Sequence, residues 1–152
     1  MKQFTDDIIQ YIKSQFALDT DIAKTVNVEY AYKQNYTMAF PCITVQALDN
    51  SDAEQYDTFQ GEEISNIPLQ ITIYGQQMKI ANVIKSSQDV VTILADKLMQ
   101  MFNKTKAVEW NKNIVRIRRV GTTFSMPLQD GTTTYFSPLR YDFYVNYNYQ
   151  NI

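Results

Sequence analysis

The last fifth of the chain alternates apolar and polar side chains with a strict period of two. From Leu139 onwards every second position is apolar or aromatic, and these positions are Leu139, Tyr141, Phe143, Val145, Tyr147 and Tyr149. The positions between them are Arg140, Asp142, Tyr144, Asn146 and Asn148. This period predicts a long, half-buried β-strand with one face on a core and the other facing water or another chain. Because the strand is rich in tyrosine and carries no catalytic group, it indicates an assembly surface.

Shorter alternations upstream predict four more strands. They cover residues 25–32, 41–48, 67–74 and 114–126. The apolar phase changes within the last of these, which indicates a β-bulge near residues 119–121. A turn signal at residues 129–131 makes the final strand the hairpin partner of strand 114–126, and Pro138 predicts a bend or a sheet edge. Residues 75–85 are interpreted as a loop with a little extra strand.

Helical spacing of apolar residues predicts two helices. The first covers residues 4–17, with Thr5 as its N-cap and Asp6 and Asp7 in its first turn. Its buried stripe is Ile8, Ile9, Ile12 and Phe16. The second covers residues 87–102 after Ser86, with Asp89 completing a weak capping box. Its buried stripe is Val90, Val91, Leu94, Leu98, Met101 and Phe102.

The element order α-β-β-β-α-β-β contains more strands than helices and joins neighbouring strands by short turns. It predicts an α+β fold in which a mainly antiparallel sheet of four to five strands carries two helices packed on one face. The 152 residues fit a single domain over residues 1–152. Residues 49–63 are interpreted as an acidic loop, which is long by the standards of ordinary connections.

Charge is separated along the chain, although the formal net charge is only −2. No basic residue lies between Lys33 and Lys79, and the acids in this stretch are Asp49, Asp52, Glu54, Asp57, Glu62 and Glu63. The basic segment, residues 104–119, contains Lys104, Lys106, Lys112, Arg116, Arg118 and Arg119. We expect these two segments to lie at protein contacts, including contacts between unlike segments of neighbouring copies. The candidate interface residues are the six acids together with Lys112, Arg116, Arg118, Arg119, Arg140 and Tyr144.

Composition excludes several kinds of chemistry. The chain has one cysteine and no histidine, so it forms no internal disulfide and contains no Ser–His or Cys–His catalytic pair. The absence of imidazole also argues against a zinc site. Cys42 lies in the apolar run 40–43 and is expected to be a buried core residue. The sequence therefore predicts a protein that is not an enzyme and that needs no cofactor.

The composition does not by itself exclude a divalent-cation site in the acidic loop. Asp49, Asp52, Glu54 and Asp57 are closely spaced oxygen ligands. They lack the glycine at the sixth position and the glutamate at the twelfth that a calcium-binding loop requires. No metal is therefore expected, and a metal-dependent activity would identify the alternative, a small oxygen-ligand metal enzyme.

Neither a membrane nor a nucleic acid is an expected partner. No apolar run reaches the ~18–20 residues of a membrane span, and residues 1–4 lack the apolar core of a signal peptide, so synthesis and folding in a cytoplasm are expected. Basic strands with aromatic side chains can bind nucleic acid. The short cluster and the acidic overall charge argue against direct binding. A small nucleic-acid-binding module that uses Arg116–Arg119 is the alternative.

Three segments resemble a known family. N-I-P-L-Q-I-T-I-Y-G-Q-Q-M at residues 66–78 precedes S-S-Q-D-V-V-T-I-L-A-D-K-L at residues 86–98, and L-R-Y-D-F-Y-V-N-Y follows at residues 139–147. These segments and the element order are similar to those of the tail-terminator or tail-completion proteins of long-tailed bacteriophages, which are sometimes labelled minor capsid proteins. The acidic loop is the part of the chain that the resemblance does not cover.

The resemblance implies a structural protein of the virion tail or neck, assembled in the cytoplasm of a host bacterium. Such proteins form a ring, typically of six copies, on the head-proximal end of the tail tube, where they stop polymerisation of the tube and join it to the head. The expected partners are therefore further copies of this chain, the tail tube protein and the head connector protein. The family has no catalytic residues to carry over. The alternative is a head–tail connector or another neck protein of the same particles.

Overall fold

The computed structural model of the chain describes residues 2–22, 24–31, 39–48, 55–57, 63–103, 110–121, 124–127 and 133–146. Its helices are α1 (Lys2–Ala17) and α2 (Ser87–Met101). Its strands are β1 (Asn27–Tyr30), β2 (Cys42–Ala47), β3 (Gln55–Asp57), β4 (Glu63–Gly75), β5 (Met78–Ile80), β6 (Val83–Lys85), β7 (Ile114–Val120), β8 (Met126–Pro127) and β9 (Tyr135–Asn146).

Seven of these strands form one main sheet. Five of them run across it in the order β1-β2-β4-β9-β7, while β3 pairs with β4 and β8 pairs with β9. Only the pairing of β1 with β2 is parallel, and the other pairings are antiparallel. Strands β5 and β6 form a separate two-stranded hairpin. The predicted α+β class and the mainly antiparallel sheet are confirmed, with β3, β8 and the β5–β6 hairpin as additions.

The register of the central strands collects the apolar side chains on one face of the sheet. Across β4 and β9 the opposed pairs include Ile67 with Phe143 and Leu69 with Tyr141, all of them buried. On β9 the buried positions of this face include Leu139, Tyr141, Phe143 and Val145, as the period of two predicts. Tyr147 and Tyr149, the last residues of the predicted strand, lie outside the described residues.

Both helices pack on this apolar face, as predicted. From α1, the ring of Phe4 meets Phe143 edge-on with 5.3 Å between ring centroids. Phe102, directly after α2, makes a similar contact with Phe143 at 5.4 Å. The Tyr11 hydroxyl of α1 donates a hydrogen bond of 2.8 Å to the Met101 carbonyl at the end of α2. The sheet and the two helices therefore share one hydrophobic core.

Gly75, at the end of β4, lets α2 approach the sheet closely. A Cβ atom built at this position would lie 2.9 Å from Cγ2 of Val91 and 3.1 Å from Cγ1 of Val90. Both valines are fully buried, so neither side chain has free space into which it can move. A side chain at residue 75 would push α2 away from the sheet.

The two predicted helix starts have different outcomes. The start of α2 is confirmed, because the Ser86 Oγ accepts a hydrogen bond of 3.3 Å from the Asp89 backbone N–H. The predicted start of α1 is wrong, since the helix begins at Lys2 and Thr5 lies inside it. Asp6 and Asp7 consequently lie beyond the first turn. The physical reason is tertiary, because Phe4 must be in the helix for its buried ring to reach Phe143.

The predicted strand 114–126 is two strands, and its bulge is elsewhere. Strand β7 ends at Val120 because Gly121 follows with φ +83°, a left-handed conformation that glycine adopts without strain. The register shift lies between Ile114 and Arg116, not at residues 119–121. Ile114 is opposite Val145 and Arg116 is opposite Tyr144, so β7 gains one residue on β9 there. This shift lets Ile114 and Ile117 face the same side of the sheet.

Two predicted breaks in the sheet are refined. Residues 75–85 contain the β5–β6 hairpin, whose two turn residues Ala81 and Asn82 both have positive φ. Paired positive φ values match the twist of a two-residue hairpin. Pro138 does not bend β9 out of the sheet, since it is opposite Thr72 of β4. On its other side it lies between the part of β9 that pairs with β7 and the part that pairs with β8.

The predicted acidic loop, residues 49–63, is partly a strand ladder. Strand β3 pairs with the start of β4, with Asp57 opposite Glu63 and Gln55 opposite Ser65. Residues 55–57 and residue 63 therefore belong to paired strands and not to a loop. Residues 49–54 and 58–62 lie outside the described residues.

Truncation of a fully buried α2 side chain tests the packing of this helix on the sheet. Leu94→Ala or Leu98→Ala should each lower the free energy of unfolding by about 2–5 kcal/mol, because both side chains are fully buried and would leave a cavity. Chemical denaturation measures the change. Gln100→Ala, at an exposed position of the same helix, is the control and should have a small effect. Unchanged stability in both leucine variants would contradict the packing.

An ion pair between the end of α1 and α2 predicts a pH-dependent contribution to stability. Lys97 Nζ donates to Asp19 Oδ2 at 2.5 Å. Burial by itself raises the pKa of the Asp19 carboxyl, but hydrogen bonds from Lys97 and the Asp21 N–H, together with the Lys97 charge, bring the pKa below its ordinary value of 3.8. This contribution is present above pH 3.8 and is lost as the pH falls through the lower folded-state pKa.

Asp19→Asn should therefore reduce stability at pH 7 by about 1 kcal/mol or less, because the pair is partly exposed. The difference from wild type should shrink as the pH falls below 4, which denaturant titrations at several pH values would measure. Asp21→Asn is the matched control, since that carboxylate is 3.9 Å from Lys97 and 58% exposed. A difference that stayed constant down to low pH would contradict the assignment.

Candidate protein-interaction surface

The face of the sheet opposite the helices carries most of the polar side chains of the central strands. We call it the open face, and it is formed by Asn66, Pro68 and Gln70 of β4, Arg140, Asp142, Tyr144 and Asn146 of β9, and Arg116 and Arg118 of β7. These residues alternate along their strands with the core residues, so their placement follows from the same period of two. Both described helices lie on the opposite face.

Three exposed arginines and one tyrosine come together on the open face. Arg116 is opposite Tyr144, and its guanidinium carbon lies 5.6 Å from the centre of the tyrosine ring. Arg118 is opposite Asp142, and Arg140 is the preceding open-face residue of β9. A guanidinium over a tyrosine ring is a favourable cation–π arrangement that also orders the arginine. Four of the predicted interface residues thus form one cluster.

Asp142 lies in the middle of this cluster and is 5% exposed. Its Oδ1 atom has no hydrogen-bond partner among the described residues, although Arg118 occupies the opposite position on β7. Buried acceptor oxygens without donors cost free energy in an isolated domain. The amide oxygens of Asn66 and Asn146, on the same face, are also buried without a donor in the described part of the chain. All three oxygens are buried, so a donor from a partner could reach them only if the side chains around them moved.

The sequence did not indicate Asp142, Asn66 or Asn146 as interface residues. Alternation places each of them on the open face, where a polar residue is normally solvated. Asp142 lies between Pro68 of β4 and Arg118 of β7, and the pattern of a single strand does not contain this pairing. One sequence signal was available for Asp142. It lies at alternate positions between an arginine and a tyrosine, in the pattern Arg140-x-Asp142-x-Tyr144.

Two predicted basic residues lie away from the cluster. Arg119 is opposite Tyr141 on the helix-covered side, and its Nη1 atom lies 3.1 Å from the Met99 Sδ of α2. Burial raises the pKa of the Tyr141 phenol to about 12, even though the Arg119 charge lowers it. Lys112 is exposed and precedes β7. Arg119 therefore lies on the other side of the sheet from Arg116 and Arg118, and its place at an interface stays a prediction.

The acidic candidates are described only in part. Asp57 and Glu63 are opposite each other in the β3–β4 ladder, at the end of the sheet where β7 begins. Asp49, Asp52, Glu54 and Glu62 lie outside the described residues. The interpretation of the acidic loop as a protein contact therefore stays a prediction.

Cys42 is buried on β2, as the sequence predicted. In the described ranges, no group of three or more His, Cys, Asp or Glu side chains is placed to hold a metal ion. No helix in those ranges is long and apolar enough to cross a membrane.

A scan against protein-family models gives no match to this chain, and a search of curated proteins gives no significant match.

Replacement of the buried carboxylate tests whether the open face is complete without a partner. Asp142→Asn should change the free energy of unfolding by less than about 1 kcal/mol, or increase it, because the variant removes a buried charge that lacks a donor. A structural ion pair with Arg118 would instead be worth about 3–5 kcal/mol on removal of one partner. Urea denaturation distinguishes these results. Arg140→Gln, at an exposed neighbour, controls for loss of a charge.

Proposed function

We propose that this protein is a tail terminator of a long-tailed bacteriophage. In this role it forms a ring on the head-proximal end of the tail tube, stops further addition of tube subunits and provides the surface to which the head connector binds. It is a structural component of the virion without a catalytic site. Its partners are copies of itself, the tube protein and the connector protein.

The open face is the observation that carries this proposal. It combines three exposed arginines with the aromatic ring of Tyr144, and arginine and tyrosine are the residue types enriched at contacts between proteins. The core on the other side of the sheet is closed by two helices, so the fold itself does not need that partner. The resemblance of residues 66–78, 86–98 and 139–147 to tail-terminator proteins identifies the kind of partner.

A terminator needs one surface that binds the end of a polymer and another that does not extend it. The charges of the open face suit the first task, because opposite charges across an interface set register and rate of association. Each exposed pair contributes only about 0–1 kcal/mol, so affinity would come from tyrosine and apolar contacts. Tyr144, which lies beside Arg116, is placed for such a contact.

A nucleic-acid-binding module is a second candidate that one observation favours. Arg116, Arg118 and Arg140 lie on one sheet face beside Tyr144, and arginine with an aromatic ring can bind a phosphate backbone and a base. Affinity for single-stranded DNA that falls steeply with salt would support this function. Absence of DNA binding at low salt would exclude this function. The remaining alternative to the tail terminator would then be a head–tail connector of the same kind of phage particle.

Charge reversal on the open face tests the terminator function directly. Tail tube protein from the same phage is polymerised with and without this protein, and tube lengths are measured by electron microscopy. The wild type should shorten the length distribution. The double variant Arg116→Glu/Arg118→Glu should lose this effect while its unfolding midpoint stays close to that of the wild type, because both side chains are exposed.

The double variant Lys79→Glu/Lys85→Glu is the matched control. It makes the same charge change on the β5–β6 hairpin, away from the open face, and should limit tube length normally. If wild-type protein leaves tube length unchanged, the terminator function is wrong. If the open-face variant and the control act alike, the arginines are a solvated surface.

A further inference from the structure

The main sheet ends in two different strands, each with a free edge within the described residues. At one end β1 pairs only with β2, and at the other end β7 pairs only with β9. A free edge exposes backbone N–H and C=O groups that can pair with another strand. Because the two edges differ in sequence, they can bind each other as well as copies of themselves.

The hydrogen bonds of β1 show which of its groups point outwards. The N–H of Asn27 donates to the Pro41 carbonyl at 3.0 Å, and the N–H of Ala31 donates to the Val45 carbonyl at 3.2 Å. Since backbone groups alternate in direction along a strand, those of Val28 and Tyr30 point away from β2. They are therefore available to a strand beside β1.

We propose that β1 of one copy pairs with β7 of a second copy, so that the sheet continues from subunit to subunit. Strands β1, β2 and β9 run in one direction and β4 and β7 in the other. When the sheet is repeated side by side, β1 meets β7 of the neighbour in the antiparallel sense. The junction is then of the same type as most pairings within the sheet.

The side chains of the two edges match on both faces. Glu29 is opposite Thr44, which in turn is opposite Thr72. This register places Glu29 on the open face, where Arg116 and Arg118 of the neighbour would lie beside it. On the helix-covered side, the exposed Tyr30 would meet Ile117. Opposite charges and apolar pairs on directly facing strands are both stabilising.

The same charges disfavour pairing of identical edges. Two β1 strands side by side would bring two Glu29 side chains to one face of the junction, and two β7 strands would do so with Arg116 and Arg118. Like charges directly opposite each other are destabilising. The second copy is thus expected to bind through its unlike edge, which is a head-to-tail contact.

Space beside β1 is available for a neighbour. Two cavities of about 810 and 620 Å³ lie along α1 and β1, and they share Lys13, Val28 and Glu29. The larger is lined in part by Ile9, Val45 and Ala47, so it is suited to apolar side chains. Tyr30, 38% exposed in this groove, and Val115 of β7, 42% exposed, are apolar surface that the junction would cover.

A head-to-tail contact that is repeated with a constant rotation gives a ring if the rotation closes and an open filament if it does not. That closure rests on the tail-terminator function proposed above, whereas the edge pairing itself is a property of this chain alone. The two ideas can therefore fail separately, and the test of edge pairing uses no tail component.

Disulfide trapping between single-cysteine substitutions tests the pairing. Glu29→Cys protein is mixed with Arg116→Cys or Arg118→Cys protein under mild oxidation, and the products are separated on non-reducing gels. Opposed residues on neighbouring strands lie close enough for a disulfide. We expect a cross-linked dimer in the mixture with at least one of the two partners, in excess over either protein alone. Cys42 is buried in every sample, and wild-type protein controls for it.

Arg140→Cys is the matched control for the arginine positions. It is exposed on the same face but lies on β9, one strand inside the edge, so it should not cross-link to Glu29→Cys. A chain that carries Glu29→Cys and the reactive β7 substitution together should give a ladder of oligomers, which isologous pairing would not give.

Three results would overturn the edge pairing. They are no cross-link with either β7 position at high protein concentration, equal cross-linking to Arg140→Cys, and homodimers of the single variants that equal the mixed dimer. Circular dichroism shows whether each variant folds, and Tyr30→Cys with Ile117→Cys gives an independent pair on the other face. Trapped oligomers together with unlimited tube growth would support the edge pairing and contradict the terminator function.

Discussion

The antiparallel ladder between β4 and β9 is the constraint on which the rest of the structure depends. It runs without interruption from Ile64 opposite Asn146 to Gly75 opposite Tyr135. This register decides which side chains of both strands face the helices. A shift of β9 by one residue against β4 would move Phe143 to the open face and put Asp142 into the core. The hydrophobic face therefore specifies the register, and the register in turn builds the charged face.

The consequence for function is that core and surface are two sides of the same strands. The ring of Phe143 packs against Phe4 and Phe102 on the helix-covered side. Its neighbours in sequence, Asp142 and Tyr144, lie on the open face. Helix packing thus fixes the position of the arginine and tyrosine cluster without any contact to it. A surface on the middle of a sheet that two helices support holds its charges at fixed spacing, which suits the structural role proposed above.

Much of this arrangement follows from local sequence, and the exceptions have tertiary causes. The Ser86 cap, the apolar stripe of α2 and the alternation in β9 each depend on residues close in sequence, and each was predicted. The start of α1 was not, because it depends on the distant contact between Phe4 and Phe143. Alternation alone separates Arg119 from Arg116 and Arg118, but only the pairing of β7 with β9 shows which of the two sides is covered by the helices. The position of Asp142 between Pro68 and Arg118 depends on the pairing of three strands.

Electron microscopy of preassembled tail tubes mixed with the purified protein tests the central claim that this chain caps a tube. If the chain caps a tube, one end of each tube should carry an additional ring of density, with none along the side and none at the opposite end. Density along the length of the tubes, or tubes whose ends are unchanged at saturating protein, would contradict it.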